Sequence, residues 1–415
     1  MTNQETPQIT RSEPRIFYGY IVVLAAFLIQ ILMYGPRNSF GVFFKPMLND
    51  FGWSRSLLSG AFSISTLIQG VFSVVMGGLN DRFGPRIVLT LCGIFVGLGF
   101  YLMSHVNSAW QLYLFYVIPV GIGMGGIYAP PMSTIARWFV KRRSIMTGIV
   151  VAGGGLGGLI FPPVANWLIS THGWRDSYGI IGAMVLVIIV LLSQSMKTDP
   201  KKMGLEPYGE QEPKSQKVDI FLAGFSFKEA ARTGQFWITI VAFLCFGYSI
   251  MTIIVHIVPH VTDLDISATT AANILACLGG AQLVGGIVFG GIADRIGNKQ
   301  SFFVCLILMS AGVLWILVSG EVWMFFLAAV IFGLGCGGGA TLVSPLAAEL
   351  FGMRSHGLIL GVLVFCATIG GSCGSWASGY IFDVRESYQW AFSITAAFTV
   401  TGSILTAILK PVKQE

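Results

Sequence analysis

One arginine in this chain stands where a cation has no ordinary reason to be. Residues 33–44 read MYGPRNSFGVFF inside an apolar stretch that begins near Phe17. Arg37 thus follows Pro36 in what the pattern predicts to be a membrane-spanning helix. A charge at the centre of such a helix costs at least about 2.5–3.5 kcal/mol. Snorkelling to the headgroups is the plain alternative. Against it, Gly35-Pro36 should kink the helix and free a backbone carbonyl, as happens where helices line a cavity. A guanidinium there suits bidentate binding of a carboxylate.

The 19 acidic residues decide what Arg37 can pair with. All fall in tails, loops or helix ends, so none neutralises Arg37 within the membrane. An unpaired buried cation is a poor resting state, and the missing charge points to a substrate. One cation suits one anionic group, hence a monoanion. His256 and His260 are the other ionisable candidates. At about 1.5 Å per residue, His256 is expected near the depth of Arg37, able to face it, to carry a proton and to hydrogen-bond a carboxylate. His260, beside Pro259, reads more as an interfacial histidine. Tyr34, Asn38, Tyr128, Tyr248, Asn273 and Gln282 add polar groups that either bind substrate or join helices.

The elements that must position these groups follow from composition. Of 415 residues 54% are hydrophobic and 11% charged, with a mean hydropathy of +0.75. Soluble domains carry about a quarter charged residues. About 20 apolar residues cross the hydrocarbon. The runs near 18–44, 56–79, 87–105, 110–136, 145–169, 178–196, 237–260, 268–293, 301–318, 323–349, 356–381 and 388–409 therefore predict twelve spanning helices, an all-α membrane protein. They lack the alternation of a β-barrel, and the first is too long for a secretory signal peptide.

The net charge of +6 is a topology signal and not a nucleic-acid footprint. Of the 25 lysines and arginines, Lys45, Arg55, Arg175 and Arg385 lie on one side of the twelve-helix arrangement and Arg37 within it; the other 20 share the opposite side. The positive-inside rule makes that side, with both termini, cytoplasmic. The expected location is the cell's inner membrane. All seven cysteines lie within predicted helices without C-x-x-C spacing, so neither a disulfide nor a metal site is expected. No nucleophile–base cluster appears and no cofactor is expected, which argues against an enzyme.

The chain divides near its middle. The sequence predicts an N-terminal tail (1–16), a six-helix bundle (17–196), a polar linker (197–225), an interfacial amphipathic helix (226–236), a second bundle (237–409) and a C-terminal tail (410–415). The halves repeat. GGLNDRFGPR (Gly77–Arg86) recurs as GGIADRIGNK (Gly290–Lys299), with Asp81 and Asp294 213 positions apart. GIGMGG (121–126) is echoed by GLGCGGG (333–339), and Gly157-Gly158 by Gly370-Gly371. Parallel repeats imply two bundles that rock around a central path. Gly153–Gly158 spells G-x-G-x-x-G, but within an apolar helix and with no preceding strand it is a packing surface, not a nucleotide loop.

Two copies of G-x-x-x-D-R-x-G, after the second and eighth runs, resemble the signature loop of the major facilitator superfamily over almost the whole chain. WFVKRRSIMTGIVVAGGG (138–155) and YGPRNSFGVFF (34–44) are similar to the fifth- and first-helix motifs of its monocarboxylate transporters, where a Pro-Lys pair carries the substrate-binding cation. EAARTGQFW (229–237) resembles the bacterial oxalate:formate antiporter group. The resemblance implies alternating access, a small organic anion as substrate, the proton as a candidate partner, a monomer in a lipid bilayer, and a cytoplasmic gate made by Asp81, Arg82, Arg86, Asp294 and Arg295. The chain also departs from the family. Where many members carry an Asp and an Arg in the eighth helix, ILACLGGAQLVGGIVFGGIAD offers Gln282 and Gly286. Proton symport, anion exchange and export of amphipathic compounds all stay open on this reading. A membrane receptor built on the same fold is the reading from another class.

Overall fold

A computed structural model describes residues 17–139, 142–209, 224–352 and 354–410. The predicted N-terminal tail (1–16), the predicted C-terminal tail beyond Lys410 (411–415), most of the linker (210–223) and Lys141 lie outside the described residues. The described chain is helical, with only two isolated backbone bridges, Phe139 to Tyr208 and Gly224 to Gly352.

Twelve spans emerge. In the first half they are span 1 (Tyr18–Phe51), span 2 (Arg55–Phe83), span 3 (Pro85–Met103), span 4 (Ala109–Trp138), and spans 5 and 6, which share the helix Arg143–Ser193. Gly173 separates these two at φ 79° and ψ 165°, a break inside an otherwise continuous helix. In the second half they are span 7 (Gly234–Asp263), span 8 (Ala268–Ile296), span 9 (Asn298–Val318), span 10 (Val322–Phe351), span 11 (His356–Arg385) and span 12 (Gln389–Ile408). Both described chain ends lie on one side, called here the terminal face; the other is the far face.

Local sequence sets the ends. Ser54, Thr233 and Ser267 cap spans 2, 7 and 8 by accepting the backbone N–H three residues on. The interfacial helix is shorter than expected, Phe227–Ala231, because Ser226 and Glu229 form a capping box and Thr233 then starts span 7 at once. The repeated signature loop has a backbone reason. Gly84 and Gly297, 213 apart, sit at φ 80° and 91°, turning span 2 into span 3 and span 8 into span 9.

Packing repeats as the sequence does. Spans 1 and 5, 2 and 4, and 3 and 6 pack in the first half, as spans 7 and 11, 8 and 10, and 9 and 12 do in the second. The halves meet through spans 5 and 8 and through spans 2 and 11. These contacts run from mid-helix to the far face. Gly155 lies against Leu283, Gly158 against Gly279 and Asn166 against Thr269; likewise Gly70 lies against Phe365 and Gly379 against Ser59 and Arg55. Gly279 is indispensable to this approach, since a Cβ built on it would stand 2.4 Å from the backbone carbon of Gly158. Toward the terminal face the same four helices separate. Gly77, Gly148, Gly291 and Gly361 have no neighbouring atom within 4 Å of where a Cβ would be.

Candidate functional site

Arg37 sits where span 1 is interrupted. The helix Tyr18–Asn38 ends at Ser39 (φ −79°, ψ 0°) and resumes at Phe40. Pro36 cannot donate a backbone hydrogen bond, which deprives the Leu32 carbonyl of its helical donor, and at the break the Gly35 carbonyl accepts from both the Ser39 backbone N–H (3.1 Å) and hydroxyl (2.9 Å). The kink expected from Gly35-Pro36 is thus a true break one residue beyond Asn38.

The guanidinium is 3% exposed. Its Nη2 donates to the Thr66 hydroxyl on span 2 at 2.6 Å, and its Cζ lies 5.1 Å from the centre of the Phe62 ring. Nη1 is buried and has no hydrogen-bond partner. Among the described residues no carboxylate pairs with Arg37. A cation held only by a hydroxyl and a ring face is under-compensated, and the unpartnered Nη1 offers a donor to an incoming anion.

Aromatic hydroxyls surround it. Tyr34, one turn earlier on span 1, and Tyr116 on span 4 both lie within electrostatic range of the guanidinium, and Tyr128 within range of Tyr34. Tyr128 is 49% exposed in the widened region toward the terminal face, and Tyr34 is half-buried. Tyr116 was not among the residues singled out from sequence. It is fully buried, its hydroxyl has no partner, and Phe40 joins its ring (5.1 Å) to that of Phe62 (5.2 Å). It lies in a π-helical turn, Tyr113–Val117, a device frequent at functional sites and invisible in an apolar run.

The other sequence candidates separate into three groups. Asn38 and Gln282 share a small cavity with Gly158, Ile254, Leu275, Leu278 and Gly279, roughly one water in size. Gln282 donates to the Cys336 sulfur at 3.1 Å. Tyr248 is buried in the second half, stacked on Phe398 at 4.1 Å. Asn273 is exposed, four residues before Cys277, which lines an open apolar groove with Leu159 and Val284. These two stand away from Arg37.

His256 differs from the expectation that it faces Arg37. Its ring is fully buried, with Nε2 2.8 Å from the Ser375 carbonyl oxygen and Nδ1 3.0 Å from the Tyr388 hydroxyl. Packing of span 7 on spans 11 and 12 turns the imidazole into the second half, and both nitrogens are engaged. His260 packs edge-on to Phe392 at 5.0 Å and to Tyr388 at 5.8 Å.

The charged residues expected at the gate make no pair across the halves on the terminal face among the described residues. Asp81 reaches Arg137 at 3.5 Å and Arg86 donates to Gln194 at 2.6 Å, both within the first half. A cross-half network stands instead at the far face. Arg55 forms a two-oxygen ion pair with Asp263 (2.6 and 2.9 Å) and donates to the Tyr388 hydroxyl at 2.9 Å. The backbone N–H groups of Arg55 and Ser56 both donate to Asp383 at 2.8 Å. Lys45 lies 3.7 Å from Asp263, and the Phe382 ring stacks 3.5 Å from the Arg55 guanidinium carbon.

Two six-helix halves related by sequence repeat and packed alike, with the cross-half ion pairs among the described residues at one face, have the build of a transporter. A family model for the major facilitator superfamily matches residues 26–261 and 252–415. The chain belongs to the major facilitator superfamily. Among this transporter's relatives, monocarboxylate transporter 13 of Bos taurus is 28% identical over 394 residues, 93% of this chain and 88% of its own length. The oxalate:formate antiporter of Oxalobacter formigenes is 26% identical over 426 residues, 98% of this chain and 96% of its own. A bacterial homologue of the human lysosomal transporter Spinster, solved inward-facing and unoccupied, superposes with a TM-score of 0.76 at 18% identity over 95% of this chain and 97% of that one. That likeness is one of fold. The protein is a multi-pass membrane transporter of this superfamily and not an enzyme.

Proposed function

We propose that the protein carries a small organic monoanion, a monocarboxylate, across the membrane by alternating access, with Arg37 as the anion-binding group. The observation that carries this reading is the buried guanidinium whose Nη1 has no protein partner. A carboxylate supplied by the substrate completes the pair that no acidic residue of the spans supplies. Tyr34, Tyr116 and Tyr128 offer hydroxyls along the approach, and Asn38 and Gln282 flank the junction of spans 1, 5, 7 and 8. The names of the bovine and Oxalobacter relatives support an anion as substrate.

The terminal face, rich in lysine and arginine, is the cytoplasmic one in this reading, at the inner membrane of the cell, and the protein acts as a monomer. The conformation is then inward-open, with Arg55, Asp263 and Asp383 closing the outside and the Asp81 and Asp294 loops forming the inner gate of the alternate state. A proton accompanies the anion. Exchange of one anion for another is the second reading, favoured by the antiporter relative.

Uptake of radiolabelled lactate, pyruvate and aromatic monocarboxylates into proteoliposomes tests the assignment, with and without a pH gradient. Arg37→Ala is expected to lower uptake by about thirtyfold or more, on the scale of the 2–5 kcal/mol lost when a buried charge loses its partner. Arg37→Lys keeps part of the activity at a higher KM, because the two-point geometry is lost. Uptake by the alanine variant at the parent rate would sink the assignment. Uptake insensitive to the gradient but accelerated by internal anion would favour exchange.

A further inference from the structure

We infer that the far-face gate is a proton-sensitive latch whose trigger is His256, acting on Arg55 through Tyr388. The inference rests on the alternating-access reading above but not on Arg37 or on the identity of the substrate.

Hydrogen-bond chemistry fixes every proton along the line. The Ser375 carbonyl can only accept, so His256 Nε2 carries the hydrogen at 2.8 Å. Nδ1 is then the lone-pair nitrogen and accepts from the Tyr388 hydroxyl at 3.0 Å. With its own hydrogen given to His256, the Tyr388 oxygen turns its lone pairs to Arg55 Nη1 at 2.9 Å. Arg55, from the first half, clasps Asp263 of the second half at 2.6 and 2.9 Å. The line is an ordered relay from a buried imidazole to the ion pair that joins the halves.

A further proton has one place to go, His256 Nδ1, and there it undoes the order. The imidazolium and Arg55 would both donate to one hydroxyl oxygen, and the Tyr388 hydrogen would lose its acceptor. The charged and titratable groups around the ring do not compensate. Span 2 presents Arg55, a like charge, and span 1 presents Lys45 beyond the edge-on Phe44 ring, 5.6 Å away. Span 7 itself contributes His260 one turn on, and Asp263, already held by Arg55 and Lys45. Span 11 presents Asp383, whose two oxygens are taken by the Arg55 and Ser56 backbone N–H groups, and span 12 presents Tyr388. Among the described residues no carboxylate touches the imidazole.

The closed latch therefore holds neutral His256 and disfavours the cation, whereas an opened, hydrated gate accepts it. The sign follows from linkage. The state that binds the proton more tightly gains as pH falls, so acid favours opening of the far face. A proton arriving from that side then exposes the path to that side, which gives import with the proton a defined order.

Distance measurement across the gate tests this without substrate. Spin labels at Asn107 and Gly320, exposed far-face loop positions in the first and second halves, are placed in a variant whose native cysteines are replaced. Electron–electron resonance in lipid nanodiscs is then recorded from about pH 8 to about pH 5, the window in which an opened histidine titrates. The short distance is expected to dominate at high pH and the long one to grow severalfold on acidification. His256→Gln, which can donate to Ser375 and accept from Tyr388 but does not titrate, is expected to stay short throughout. Tyr388→Phe, which keeps the ring and removes the relay, is expected to show the long distance at both ends of the range. His260→Gln should respond as the parent does. A parent distance independent of pH, a pH response surviving in His256→Gln, or one abolished in His260→Gln would each overturn the latch. Substrate-free distances that behave as stated while Arg37→Ala transports normally would leave the latch standing and remove only the anion site.

Discussion

The two faces of the transporter are built from the same repeated helices yet hold their charges in opposite ways. At the terminal face the duplicated loops put Asp81, Arg82 and Arg86 opposite Asp294 and Arg295 in sequence symmetry, and among the described residues no ion pair joins the halves there. At the far face, with no recognisable motif, Arg55, Lys45, Asp263 and Asp383 form a cross-half network. Among the described residues the duplicated charges find partners within one half, Asp81 with Arg137 and Arg86 with Gln194, whereas the unduplicated ones join the halves. A two-state carrier requires such an asymmetry, since contacts that held both faces together would lock the path. The far-face contacts stabilise the conformation described; under the alternating-access proposal the terminal-face charges act in the other one.

The largest way to break that comparison is Arg55→Ala. It removes the Asp263 pair and the Tyr388 hydrogen bond together, in a side chain only 12% exposed. Hydrogen bonds to charged groups contribute about 1.5–3 kcal/mol each. The far-face distance between labels is therefore expected to lengthen in most molecules, with the terminal face closing in compensation. Gly279→Val comes next. Its Cβ would overlap the Gly158 backbone, which cannot swing aside like a side chain, so spans 5 and 8 must part. Overpacking of this kind costs about 1–3 kcal/mol, and the same distance should lengthen in a smaller fraction of molecules. Gly291→Ala is its counterpart at the terminal face, where nothing stands within 4 Å. It should leave the far-face distance as in the parent, and a lengthening there would contradict the separation of the terminal halves. Asp294→Asn has the smallest expected loss of function. Exposed ion pairs contribute roughly 0.2–1 kcal/mol, so turnover in proteoliposomes should fall less than about fivefold while the resting distances hold.

Arg37 and His256 show what could be read in advance and what could not. Arg37 was legible because counting is enough: one cation among 25 has no topological role, and every acidic residue lies in a tail, a loop or a helix end. His256 was legible as a buried ionisable group but not as part of a gate. Its depth follows from helical rise, whereas its direction depends on how span 7 rotates against spans 11 and 12. Tyr116 escaped notice for a related reason. A tyrosine in an apolar run looks like packing, and only the π-helical turn and the neighbouring Phe40 and Phe62 rings bring it beside the guanidinium. Charge placement puts Arg55 and Lys45 on the sparsely charged side and says no more of them. Nothing local distinguishes a charge at a helix end that faces water from one that meets an acid across an interface.

The sequence by itself determined the twelve apolar spans, the break between the halves, the duplicated unit and the isolation of Arg37. Hydrophobic length, charge placement and internal repetition are properties of the chain taken one segment at a time. Only the tertiary structure decided which face is closed, which charges close it and which hydroxyls reach Arg37. Those depend on the rotation of each helix about its axis and on the tilt of one half against the other, which contacts between segments distant in sequence set and no local pattern encodes.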